Sequence, residues 1–182
     1  MNKRKIIILR TILLLVPFLI MGCALLAAKR PSEVSTDTLT EPTAPVVEYR
    51  NTELGFSFSL PVSWEGFSVQ TSNWEGLKSG ETGDEVVEQG LMLTIVHPKS
   101  TAQQPRQDIP LMVFTIEQWG QMQSGEWYIG AAPVGPLELG RNSRYVFALP
   151  ARYNYAFLEG WEEVEQIVQG HPLVTFEPNA AP

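Results

Sequence analysis

The chain has 182 residues, with 20 acidic against 13 basic groups and a single cysteine, Cys23. One cysteine excludes an internal disulfide and a cysteine-based metal site, and the apolar content of 44% excludes a wholly disordered chain. Lys3, Arg4, Lys5 and Arg10 precede Gly22 and no acidic residue does, so the remainder sets nine bases against all 20 acids, a balance of −11; such a domain repels phosphate backbones, and nucleic acid is excluded as an expected partner.

The first element is a leader. Residues 1–22 read as a signal peptide, a positive n-region followed by an apolar run that continues from Thr11 to Ala28. The positive-inside bias keeps the amino terminus in the cytoplasm and sends the rest out. Ile20-Met21-Gly22-Cys23 resembles the lipobox of bacterial lipoproteins. The resemblance implies that the Cys23 thiol carries diacylglycerol as a thioether and that the chain is cut just before it. The uncharged run from Thr11 to Ala28 is 18 residues long, close to the ~20 that span a bilayer. An uncleaved anchor helix, with Cys23 an ordinary thiol, is therefore the alternative. Both put the domain on the same side of the membrane.

Residues 23–45 begin apolar and become rich in Ser, Thr, Pro and Glu, without apolar periodicity. They read as a disordered linker. Extended at ~3.1 Å per residue, its polar part would hold a domain up to ~55 Å from the membrane. The globular domain is expected over 46–182, about the size of one ordinary core.

Within it, Phe56-Ser57-Phe58-Ser59-Leu60 alternates as a half-buried strand does, and Pro61 ends it. Val46 to Tyr49 is its expected hairpin partner, with Asn51 to Gly55 as the turn. Phe67-Ser68-Val69 reads as a third short strand. The runs Leu91–Val96, Leu111–Ile116 and Tyr145–Leu149 are apolar at both parities, so layers are expected on both faces of their sheet. Thr71–Gly90 and Pro98–Pro110 read as long loops. A short helix is expected from Glu117 to Met122. A second is marked by Trp161, Val164, Ile167 and Val168 at helical spacing, with Gly170 and Pro172 as its stop. The order predicts an α+β fold with a mostly antiparallel sheet.

Tyr49, Asn51, Gly55, Phe56, Phe58, Leu60, Pro61 and Trp64 make a string that resembles the opening of PsbP-like domains. The resemblance covers Tyr49 to Trp64. It implies an α/β/α sandwich, with helices packed on both faces of the antiparallel sheet, and a docking or assembly role rather than an active site.

No catalytic constellation is found. His97 and His171 each precede a proline and share no metal-ligand spacing. Glu75, Glu81, Asp84, Glu85 and Glu88 lack the ordered spacing of a calcium loop, and Gly76-Leu77-Lys78-Ser79 lacks the Gly-Lys pair of a phosphate loop. Arg106 and Asp108 read as an ion pair within one loop. No cofactor or metal is expected. Trp64 and Trp161 fall in patterned segments and are expected in the core. Trp74, Trp127 and Tyr128 fall in Gly-bearing loops; with Arg152, Tyr153 and Tyr155 they form the expected contact surface, because aromatics and Arg dominate binding hot spots. The expected function is a membrane-anchored, extracytoplasmic binding or assembly module without catalytic activity, whose partner is an envelope protein or polymer. The alternatives are a small envelope-acting hydrolase using a carboxylate or His97, and a ligand-sensing domain for a membrane partner.

Overall fold

The computed structural model describes residues 45–130 and 134–179. The signal peptide over 1–22, Cys23 and all of the linker except Pro45 lie outside the described residues. In chain order the elements are β1 (Val46–Asn51), β2 (Phe56–Pro61), a 3-10 turn (Val62–Trp64), β3 (Ser68–Gly80), β4 (Gly83–Val96), β5 (Ile109–Thr115), α1 (Ile116–Ser124), β6 (Tyr128–Ile129), β7 (Leu137–Arg141), β8 (Tyr145–Leu149), α2 (Trp161–Gln169) and β9 (Leu173–Thr175).

The strands form two antiparallel sheets. A three-stranded sheet runs β1-β2-β9, and a six-stranded sheet runs β6-β3-β4-β5-β8-β7. The β1–β2 hairpin forms where the alternation places it, with Asn51 paired to Phe56. Its turn follows from local chemistry. Asn51 Oδ1 accepts from the Leu54 amide at 2.9 Å, an Asx-type closure, and Gly55 takes φ +76°.

The parity of β5 and β8 divides the core. Ile109, Leu111, Val113, Phe147 and Leu149 face a large cluster with Phe56, Phe58, Leu60 and Trp64. Met112, Phe114, Val146 and Ala148 face the opposite way, into an aromatic cluster with Trp119 and Met122 of α1. Both faces are covered, as the two-faced strands require. The layers, however, are not those of an α/β/α sandwich. One face is covered chiefly by the three-stranded sheet, through the inward side chains of β2 and Leu173 of β9; α2 adds Val164 to that cluster. The other carries, among the described residues, the nine-residue α1 and Trp127 of the segment that follows it. Among the described residues the fold is mostly antiparallel β, with two helices and a curled sheet. The expectation of helices on both faces is overturned, and so is the architecture that the PsbP-like resemblance implies. An apolar strand face needs a cover, but a sheet face and a helix stripe remove the same kind of surface from water.

The curl brings β7 beside β9. Thr175 Oγ1 donates to the Arg141 carbonyl at 2.9 Å, and Leu173 Cδ2 lies where a side chain on Gly140 would begin, 3.0 Å from an ideal Cβ. Asn142 closes the same corner. Its Nδ2 donates to the carbonyls of Leu54 (2.8 Å), Gly55 (3.1 Å) and Phe176 (3.2 Å), and its Oδ1 accepts from the amides of Arg144 and Tyr145. One side chain thus ties together the β1–β2 turn, the β7–β8 turn and the segment after β9.

Residues 71–90 also depart from the expected loop. They are not a loop but the extended arm of a hairpin, with β3 and β4 paired from Ser68↔Val96 out to Gly80↔Gly83. Glu81 and Thr82 are the two-residue turn that this pairing leaves. Most side chains of the outer arm face solvent on both sides, so no period-2 pattern marks it.

Candidate functional site

The six expected contact residues separate into two groups. Trp74 and Trp127 are each only 4% exposed. Their rings stack at 5.7 Å, and Phe114 lies 4.5 Å from Trp74. Glycines make the room. Trp74 pairs across the hairpin with Gly90, and an ideal Cβ on Gly90 would stand 2.2 Å from Trp74 Cζ2. A Cβ on Gly76 would stand 2.6 Å from Trp127 Cε3. The glycines that looked like loop residues are therefore floors for indole rings, a recurrent use of glycine inside strands. Where β4 parts from β5 beyond the Met92↔Met112 pair, the Val113 carbonyl accepts from Trp74 Nε1 at 2.9 Å. Neither indole is presented to a partner. Tyr128 stays exposed and lies within 3.5 Å of Ser79 Oγ on the hairpin arm.

Arg152, Tyr153 and Tyr155 are brought together instead. With Pro150 and Ala151 they line a cleft of about 400 Å³ in the connection between β8 and α2. Tyr155 is 77% exposed and Phe157, which sequence reasoning passed over, is 64% exposed. The connection is held by its neighbours. Gln107 is buried and donates through Nε2 to the Tyr153 carbonyl at 3.0 Å. Its backbone N–H donates to the Glu159 carbonyl at 2.9 Å, and Arg106 pairs with the Glu159 carboxylate. The backbone is strained at two non-glycine residues, Arg152 at φ +59° and Phe157 at φ +48°. Such conformations cost about 1–3 kcal/mol each and cluster at working surfaces. Burial of Tyr153, with Glu165 adding to it, raises its phenol pKa.

Arg106 and Asp108 do not pair with each other. Asp108 Oδ1 faces the His97 amide across a long 3.4 Å, and burial raises its carboxyl pKa. His97 is 4% exposed, stands edge-on to Trp64 at 4.8 Å, and accepts from the Lys99 amide through Nδ1 at 3.1 Å. Burial first, then the Arg106 and Lys99 charges, pushes its pKa down, with Glu163 and Glu159 opposing. A ring with that nitrogen committed to its own turn is a structural cap, not a base presented to a substrate. The carboxylates of the hairpin arm are strung along two strands, and among the described residues no three His, Cys, Asp or Glu side chains converge on a metal position. A second groove, of about 370 Å³, lies between β2 and α2; its one acid, Glu163, already accepts from Ser63 Oγ.

The chain matches no protein family, no curated protein and no solved structure. Among the described residues no helix is long and apolar enough to cross a membrane.

Proposed function

We propose that this chain is an extracytoplasmic binding or assembly module, tethered to a bacterial cell membrane through lipid on Cys23, and that the connection Pro150–Gly160 is its contact surface. The tether rests on the charged-then-apolar leader and the Ile20–Cys23 string. The contact surface rests on one observation above the others: Tyr155 and Phe157 stand out of a braced, strained connection instead of joining either core cluster. Large rigid aromatics lose little entropy on binding and dominate hot spots. His97 lends the hydrolase alternative no support, since its ring is buried and engaged.

Two measurements test this reading. The mass of the amino-terminal peptide from cells is expected to show a lipid-modified Cys23 as the first residue; a free Met1 with unmodified Cys23 removes the lipid tether. Crosslinking in intact cells is expected to capture a partner that the Tyr155→Ala/Phe157→Ala double variant loses while keeping its fold. Unchanged capture moves the contact surface elsewhere.

A further inference from the structure

We propose that the cleft beside Arg152 receives an acidic, apolar-flanked peptide segment of an envelope protein, a carboxylate going to the Arg152 guanidinium and the neighbouring apolar side chain lying against Tyr153 and Tyr155. This rests on the contact-surface reading above and names the partner's chemistry.

Several of the domain's cations are already engaged. Arg106 is paired with Glu159, Arg141 with Glu138, and Arg50 lies over the Phe176 ring at 4.1 Å. Arg152, like Arg144, Lys78 and Lys99, has no carboxylate partner among the described residues, but of these four it is the one that lines the cleft with two tyrosines. In a domain with seven bases against 17 acids over 46–182, an unpaired guanidinium lining the same cleft as two tyrosines is the local exception in sign. Guanidinium binds carboxylate in a two-pronged geometry that a neutral ligand cannot satisfy.

The form of the site selects a peptide over a membrane surface or a neutral glycan. A flat anionic bilayer would meet one cation at this loop and the repulsion of the whole acidic body. A neutral polysaccharide stacks on tyrosine but leaves Arg152 unanswered. A concave space of about 400 Å³ suits one or two side chains of an extended segment, and the tyrosine faces suit the apolar ones.

The test uses the full-length chain in the cells that carry it, with a photo-crosslinking benzoylphenylalanine at exposed Ala156, between the two protruding aromatics. The expected product is a covalent adduct to a protein, whose crosslinked peptide carries Asp or Glu beside apolar residues. Arg152→Glu is expected to reduce the adduct about tenfold or more, and replacing the partner's acid with Lys is expected to restore it. Arg144→Glu, at an exposed arginine in the β7–β8 turn, is expected to change nothing. Adducts to lipid or glycan alone overturn the proposal, as does a protein adduct indifferent to Arg152→Glu. If that adduct still falls with Tyr155→Ala, the contact surface stands and only the acidic partner is wrong. If no variant matters, or no adduct forms, both fail. Arg152 makes no side-chain bond within the described residues, and unchanged melting of Arg152→Glu separates lost binding from lost fold.

Discussion

The Gly90→Ala substitution isolates the packing rule on which the aromatic cluster depends. The added methyl would lie 2.2 Å from Trp74 Cζ2 and 2.3 Å from Cε2, where ordinary contact begins near ~3.5 Å. The indole must therefore move by more than about 1 Å. It is not free to do so: Phe114 and Trp127 both pack against it, as well as against each other, and its Nε1 is bonded to the Val113 carbonyl. Overpacking of this kind costs about 1–3 kcal/mol, and losing the buried hydrogen bond adds ~1 kcal/mol. The expected loss is about 2–4 kcal/mol, a fall of ~1–2 M in the urea midpoint, read by tryptophan fluorescence and far-UV circular dichroism together. Gly120→Ala is the matched contrast. Gly120 sits inside α1 with open space where a Cβ would go, so the same methyl should stabilise by up to ~1 kcal/mol. A double-mutant cycle assigns the cause. In a Trp74→Ala background, itself costly, Gly90→Ala should become nearly neutral. An equal cost in both backgrounds would refute the clash as the mechanism.

The remaining predictions concern polar groups. Asn142→Asp sets a carboxylate against three carbonyls and should cost more than ~3 kcal/mol, whereas Asn142→Ser should lose less; urea midpoints compare them, and near-equal midpoints would show that the corner does not depend on the amide. His97 has its pKa lowered in the fold from the ordinary 6.5, so the unfolded chain takes up the proton first as pH falls. Its contribution is complete above the ordinary value, declines as pH drops through it, and levels off below the folded pKa; His97→Gln should flatten that part of a Tm-against-pH curve. Asp108 behaves in the opposite sense. Its pKa is raised from 3.8 by burial, so ionisation favours the unfolded chain and stability is lost as pH rises through the interval. Asp108→Asn keeps an acceptor for the His97 amide and should raise Tm at pH 7 but not at pH 3; a gain that persists at pH 3 would point to packing rather than charge.

Local chemistry was legible where one segment carries its own instructions. The β1–β2 hairpin follows from Asn51, Gly55 and the alternation after them. The stripe from Trp161 to Val168 predicts α2, which runs Trp161–Gln169. The short helix expected over Glu117–Met122 extends to Ile116–Ser124, because Thr115 and Gln118 cap it reciprocally and Gly125 at φ +80° ends it. Less of the candidate site was legible. Arg152, Tyr153 and Tyr155 are neighbours in the chain and remain so around the cleft. Trp74 and Trp127 lie in polar, glycine-bearing stretches and read as exposed, because the glycines that accommodate them are distant in sequence or on the opposite strand. Asn142 gave no signal, since its five partners come from three separate segments.

What the sequence determined by itself was the need for cover: strands apolar at both parities must be enclosed on two sides. Only the tertiary structure decided what the cover would be. A sheet closed one side and a short helix the other, because burial depends on the area removed from water and is indifferent to the secondary structure that removes it. The same indifference hid the two indoles and left Tyr155 and Phe157 outside. Whether an aromatic ring is core or surface is settled by the space its non-local neighbours leave, and at Trp74 that space is the missing side chain of Gly90.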